Sequence, residues 1–225
     1  MISVFLPIRK NSQRIINKNT RQFAGVKGGL TRIKLEQLIK VDHVDKIYLS
    51  TDCKISKKIA LEINSKKIEI DHRPKKYCSN NTTTDSLIQY ANSIIPEGII
   101  IWTHVTSPLF DHKNYNDCIK HYLSNTDTND SLMSVTKHKG FFYNDNIPLN
   151  FNREETKWPF TQEIKPINEV NNAVFIANKE IYNKYNDRIG INPYLYESGK
   201  IDSFDIDWPE DFTIAEILYL KNERK

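Results

Sequence analysis

The sequence is poor in the residues that usually announce a chemistry. It has only 3 cysteines, Cys53, Cys78 and Cys118, in 225 residues. They are too few and too scattered for a disulfide framework, and no Cys-x-x-Cys pair exists. They read as ordinary thiols of a reducing compartment, which sets a cytoplasmic expectation. The 6 histidines show no His-x-x-x-His spacing, so a zinc site has no support. Long hydrophobic runs are missing, and nothing approaches the roughly 18 apolar residues of a membrane span. The apolar stretch at the N-terminus is cut by Pro7 and Arg9, which argues against a cleaved leader. A concentrated basic surface is missing too. The net charge is +4, but lysines come in short pairs such as "SKK" and "PKK" rather than along one helix. An anionic small molecule is therefore the stronger expectation, and nucleic acid the weaker.

What is present is enough for a core. Aromatics make up 11% of the chain despite a mean hydropathy of −0.57, which argues against disorder. The first half alternates strand-like and helix-like segments. "ISVFLPI" reads as a buried strand, and "LTRIKLEQLIKV" repeats Leu30, Ile33, Leu35, Leu38, Ile39 and Val41 at helical spacing. "KIYLSTD" and "KIEIDH" read as strands separated by the amphipathic "KISKKIALEINS"; "DSLIQYANSII" reads as a helix and "GIIIWTHV" as another buried strand. This order predicts an α/β fold, a mostly parallel sheet flanked by helices, in one domain over residues 1–225. From about residue 138 to 168 the period is lost in a stretch rich in aromatics and prolines. It reads as an excursion from the sheet, a lid or a dimerisation arm. "NNAVFIAN" and "SFDID" read as returning strands, and residues 209–223 as a closing helix with Pro209 near its start.

In parallel sheets ligands bind at the carboxyl ends of strands, so the loops after strands carry the chemistry. The first, within "FLPIRKNSQRIINKN", holds Arg9, Lys10, Arg14 and Lys18 and no glycine. It is either a solvated basic loop or a polyphosphate site in which Arg9, Lys18, Ser12 and backbone amides do the gripping. Near the other end, Asp205 and Asp207 stand two apart on the expected strand. Their α-carbons would lie about 6.5 Å apart on one face, where two carboxylates could share a Mg²⁺ with phosphate oxygens and water. The alternative is that one caps the next helix while the other faces solvent. Phosphoryl and nucleotidyl transfer need cations and metal where charge builds, and little covalent help.

These residues resemble a family. "LPIRKNSQRIINKN" is similar to the signature of the cytidylyltransferases that activate acidic sugars, of which CMP-N-acylneuraminate synthetase is typical, with Arg9, Ser12, Lys18 and Asn19 in its places. "LSTD", "HRP", "THVTSPL", "NNAVFI" and "DIDWPEDF" follow in the family's order over nearly the whole chain. The resemblance implies a nucleotide-diphospho-sugar transferase fold with a protruding dimerisation arm, CTP and an acidic acceptor as substrates, Mg²⁺ as cofactor and a homodimer. It implies Arg9, Lys18 and Asp207 as catalytic, and Asp205 with Asp207 as metal ligands. The nucleotide would meet Arg9, Ser12, Lys18, Asn19, Arg73, Ser79 and Asn80; the acceptor would meet His104, Thr106, Ser107 and Asn171.

Departures from the pattern cluster on the acceptor side. The lysine after the loop serine is Gln13, with Arg14 beside it. His104 and Val105 replace a glutamine and a proline, Phe110 replaces an arginine, and Glu169 and Asn172 stand near a basic residue's and a glycine's places. The nucleotide side is kept and the acceptor side altered. The expected reaction is CMP transfer from CTP to a sialic-acid-like acidic sugar with release of pyrophosphate. The alternatives are a non-sialic acceptor, such as a phosphonate or another acid, and a non-catalytic nucleotide-binding homologue.

Overall fold

The structure, a computed structural model, describes residues 1–10 and 12–222. β1 (Ile2–Ile8), α1 (Gly29–Ile39), β2 (Lys46–Thr51), α2 (Lys54–Ile63), β3 (Ile68–Asp71), α3 (Thr84–Ile94) and β4 (Ile99–Trp102) follow one another as the alternation predicts. Then come α4 (His112–Ser124), β5 (Ser131–His138), a small β6 (Tyr143–Asn144) and β7 (Ile147–Pro148) hairpin, β8 (Ile167–Asn178), α5 (Lys179–Tyr185), β9 (Pro193–Glu197) and α6 (Pro209–Asn222). The main sheet is ordered β3-β2-β1-β4-β8-β5-β9. All its pairings are parallel except those of β8, which runs against both β4 and β5.

β1 is apolar apart from Ser3 because both of its faces are covered. Val4, Leu6 and Ile8 join one core with Leu30, Leu35 and Leu38 of α1; Phe5, from the other face, joins a second core with Ile88 and Ala91 of α3 and Tyr182 of α5. Trp102 stacks against Phe5 with ring centroids 4.7 Å apart.

Three expectations change. "SFDID" is not a strand: residues 203–207 lie outside every ladder, and Ile206 is held by one bond from its N–H to the Thr106 carbonyl, 3.0 Å. Aspartate suits strands poorly, and the segment lies over the sheet's end rather than beside an edge. β8 is 12 residues long, starting before the motif that marked it. β5 and β9, which give the expected sheet its further half, carried no recognised signal. The last residue of the expected closing helix, Glu223, lies outside the described residues. Among the described residues, no helix is long and apolar enough to cross a membrane.

Between β5 and β8 the chain makes contacts of its own around the β6–β7 hairpin. Asn150 Nδ2 donates to the carbonyls of Gly140 and Lys165, each at 2.8 Å, closing the base. Phe141 meets Phe151 and Trp158 edge to face at 5.0 and 5.1 Å. Yet Trp158 keeps 62% and Phe160 75% of its surface exposed.

Polar groups also enter the core, and one of them is a lysine. Lys34, on the buried face of α1, is wholly enclosed, and burial lowers its pKa to about 7 against the opposing pull of Asp111 and Asp205. An unfolded lysine keeps its proton to about 10.4. Between those values the unfolded chain binds more protons, so stability should rise with pH. Comparing wild type with Lys34→Met in urea unfolding, the wild type is expected to gain about 2 kcal/mol on the variant from pH 7 to 9. A pH-independent difference would show that Lys34 keeps an ordinary pKa.

Candidate active site

The helices after β1 and after β3 diverge, so the switch point of the sheet lies between β1 and β4. The loops leaving these two strands form one cleft there. On one side a cavity is walled by Arg9, Ser12, Gln13, Arg14, Lys18 and Asn19 of the first loop, by His104, Val105 and Thr106 of the fourth, and by Asp207. A second chamber adds Arg73, Tyr77, Ser79 and Thr82 and shares Pro7, Arg9 and His104 with the first. A third, lined by Thr136, His138, Glu169, Asn171, Asn172 and Lys200, contains both Asp205 and Asp207. Asp207 thus borders the cationic chamber and the third one together.

The cationic loop is built by turns rather than by glycine. Asn17, at φ 53°, turns the chain so that the N–H groups of Thr20 and Arg21 reach its carbonyl at 2.9 and 2.8 Å. Asn19 ties the loop down: its Nδ2 donates to Arg9 O at 3.3 Å, and its own carbonyl accepts from the N–H and hydroxyl of Thr31 on α1 at 2.8 and 2.7 Å. Arg9 donates to Asn80 Oδ1 at 2.8 Å, bridging the first loop to the third. Lys18, half-buried, donates to Ile206 O at 2.5 Å. Burial lowers its pKa, while Asp205 and Asp207 pull it back up.

The two aspartates differ. Asp205 is largely enclosed; burial raises its pKa, Thr106 hydrogen bonding lowers it, and the charge of Asp207 raises it further. Ser107 Oγ donates to it at 3.4 Å. Asp207 is 53% exposed and pairs with Arg14 at 3.1 Å, whose guanidinium lies 4.7 Å over the Trp208 ring. Neither caps α6 through the contacts seen; Asp211 does so, accepting from the N–H groups of Asp207 and Trp208 at 3.0 and 2.7 Å. Two acids that border one cavity and repel each other suit a hard cation. Among the described residues no third His, Cys, Asp or Glu joins them as a ready-made metal cage. Such a pair matches Mg²⁺, which takes one or two carboxylates and completes its shell with phosphate oxygens and water.

Residues 3–224 match a protein family described as cytidylyltransferase. The chain belongs to that family. Among curated proteins, N-acylneuraminate cytidylyltransferase of Streptococcus agalactiae serotype III (strain NEM316) is 26% identical over 212 residues, 92% of this chain and 50% of that protein. Its counterpart in serotype V (strain ATCC BAA-611 / 2603 V/R) is 24% identical over 213 residues. The chain spans about half the length of the curated relatives it matches. Two solved structures share the fold from end to end. One is CMP:2-keto-3-deoxy-manno-octonic acid synthetase complexed with CTP, with TM-score 0.65 and 12% identity over 100% of this chain and 99% of that one. The other is 4-diphosphocytidyl-2C-methyl-D-erythritol synthase from Anaerococcus prevotii, with TM-score 0.68 and 16% identity over 98% of each.

Within this chain the expected site residues fall into two groups. Arg9, Ser12, Lys18, Asn19, His104, Thr106 and Asp207 line the first chamber, and Arg73 and Ser79 the second. Asn80 reaches the cleft through Arg9. Arg73 is buried with Nη2 on the Ile8 carbonyl at 2.8 Å, while its Nε has no partner among the described residues. Its guanidinium is thereby fixed in the chamber wall. Asn171 and Ser107 are committed inside the protein. Asn171 Oδ1 accepts from Ser134 Oγ and Ala173 N, and its Nδ2 donates to Thr136 and Ser198, so its amide is fully used. Ser107 is wholly buried and supports Asp205. His104 Nε2 accepts from the Trp102 indole at 2.9 Å. An indole N–H only donates, so the ring proton sits on Nδ1. Burial and the nearby Arg188 take the His104 pKa down to about 3; the ring is neutral at neutral pH.

Sequence reading missed Thr31, Lys34 and Arg188. Thr31 and Lys34 sit in a helix read as packing and Arg188 in a stretch given no reading, and only their contacts separate them from ordinary helix or loop residues. Arg188 lies 3.6 Å over Phe175 and 5.1 Å over Trp102.

Proposed function

We propose that the chain transfers CMP from CTP to an acidic acceptor and releases pyrophosphate. What carries this reading is the cleft at the β1–β4 switch point, where Arg9 and Lys18 share one chamber with Asp207, and Asp207 shares the adjoining one with Asp205. The triphosphate lies along the first loop, with Arg9, Ser12 and Lys18 on its oxygens. The nucleoside occupies the second chamber, walled by Arg73 and Ser79, with Asn19 and Asn80 tied to Arg9 at its side. Asp205 and Asp207 hold Mg²⁺, which, when bound, neutralises phosphate charge and polarises the α-phosphorus. Lys18, already tied to the acidic segment, stabilises the charge that accumulates on departing pyrophosphate. The acceptor enters from the third chamber beside Asp207, with Thr106 and the Nδ1–H of His104 at its edge. His104 serves there as a hydrogen-bond donor, since its low pKa and engaged Nε2 make it a poor general base. The enzyme acts in the cytoplasm. Pyrophosphate release on mixing with CTP, Mg²⁺ and a panel of acidic sugars tests the reaction; binding of CTP with no release for any acceptor would leave only a nucleotide-binding homologue.

A sialic-acid-like sugar is the first acceptor class, and one contact favours a second. In the third chamber Glu169 pairs with His138 at 2.7 Å, where a sugar carboxylate would want a cation. Depriving a bound carboxylate of a charged hydrogen-bond donor costs about 1.5–3 kcal/mol, roughly ten- to a hundredfold in affinity. N-Acetylneuraminate is therefore expected to be a poor acceptor beside an acid of different shape, such as a phosphonate, reaching Lys200. Initial rates across the panel check this, and N-acetylneuraminate matching the best acceptor would show the second class to be wrong.

The exposed rings of the 138–168 arm support a homodimer whose partner arm covers the acceptor chamber. Light scattering at micromolar concentration should return twice the 26.3 kDa chain mass. A monomer mass would mean that the arm serves its own chain alone.

A further inference from the structure

The interior of α1 carries a cation that no part of the reaction uses directly. Lys34 Nζ donates to the carbonyls of Ser107 and Phe110 at 2.9 and 2.8 Å and to the Tyr115 hydroxyl at 2.9 Å. The direction of the last bond follows from its neighbours. Thr103 Oγ1 donates to Ala173 O at 2.8 Å, so across the 2.6 Å contact between the two hydroxyls Tyr115 donates and its oxygen accepts from Lys34. All three N–H groups of the ammonium are spent, and no carboxylate lies within ion-pair distance among the described residues. One turn further along the helix, Gln37 Nε2 donates to Pro108 O at 2.7 Å. α1 therefore grips successive carbonyls of the turn at 107–110.

That turn carries the acidic segment. Ser107 Oγ donates to Asp205, and the Thr106 carbonyl accepts from Ile206 N. At its N-terminal end the same helix holds the cationic loop, through the two bonds from Thr31 to the Asn19 carbonyl. Thr31 and Lys34 are three positions apart, hence neighbours on one helix face. The spacing between the phosphate-gripping loop and the carboxylates is thus referred to one rigid rod.

We infer that Lys34 is a positioning residue, fixing from α1 the Ser107 turn to which Asp205 is fastened and so setting the carboxylates against the cationic loop. A buried charge is a poor way merely to stabilise a core, because an apolar residue of similar volume often does as well or better. A carbonyl-gripping ammonium does what a methionine cannot: it sets the path of a loop. The inference rests on the cytidylyltransferase reading, and calorimetry of CTP binding with and without Mg²⁺ separates the two. Wild type should bind CTP more tightly with Mg²⁺. Lys34→Met should still melt cooperatively and bind metal-free CTP as wild type does, yet lose about ten- to a hundredfold of the Mg²⁺ enhancement, as outer-shell partners of metal ligands do. An undiminished Mg²⁺ enhancement in folded Lys34→Met overturns the proposal. Should that variant not fold, Gln37→Leu and Ser107→Ala loosen the same turn from its two sides. Loss of enhancement in both supports the proposal, and its retention in either overturns it. A wild type that binds no CTP overturns the cytidylyltransferase reading, and this proposal with it.

Discussion

Asp207→Ala is expected to lower the rate of pyrophosphate release by about 10² or more, the usual loss when a group stabilising transition-state charge is removed. The expectation follows from where Asp207 stands. It borders both the cationic chamber and the third one, while Asp205 is less exposed and borders only the third. Without Asp207 a single, partly protonation-prone carboxylate is left to hold Mg²⁺ beside the substrate oxygens. Arg14, now paired to Asp207 at 3.1 Å, is also released into the chamber. It would bind ground-state phosphate without replacing a metal. Asp207 is half exposed and its backbone N–H is held by Asp211, so the thermal midpoint should scarcely move. The measurement is turnover at saturating CTP over a series of Mg²⁺ concentrations, alongside a melt. Near wild-type rates at ordinary Mg²⁺ would remove Asp207 from the metal assignment.

The second large effect concerns the leaving group. Lys18→Ala should depress turnover by a comparable factor of about 10² while changing CMP affinity little. CMP lacks the phosphates that depart, so a residue acting on them is felt in the transition state and not in CMP binding. The site makes this separation sharp. Lys18 Nζ is half-buried against Ile206 O, next to both aspartates, and the second chamber that would take the nucleoside is lined by other residues. Parallel measurements of kcat with CTP and of the CMP dissociation constant decide. Equal losses in both would mean that Lys18 supports the nucleoside or the fold instead.

The elements that carry these residues were legible to different degrees. β1, β2 and β4 announce themselves because central strands covered on both faces must be largely apolar. Their order with α1, α2 and α3 then directs attention to the loops at their carboxyl ends. Arg9, Lys18 and Asp207 are found in this way and do share a chamber. The two aspartates do border one cavity, but not for the reason their spacing suggests. Strand alternation would bring both to one face, whereas they lie on an irregular segment over the sheet's end. There Ser107, Ile206 and Asp211 hold them where they are. β5 and β9 escape notice since their partners, β8 and each other, are distant in sequence. Asn171, a motif position expected to meet the acceptor, spends its whole amide tying strand ends together beneath the third chamber.

By itself the sequence determined the alternation that makes a parallel sheet, the charge of the loop after β1 and the acids near residue 206. Each is a property of composition and spacing along the chain, which periodicity and residue chemistry express directly. The tertiary structure alone decided that Lys34 is an enclosed clamp rather than a solvated helix residue, that His104 carries its proton on Nδ1, and that Arg14 answers Asp207 across the cleft. These depend on partners 73, 2 and 193 positions away, respectively. Even where the partner is near in sequence, as with Trp102 and His104, the direction of two side chains in the packed interior makes the contact. Which donors, acceptors and charges meet is set by how the elements close on one another.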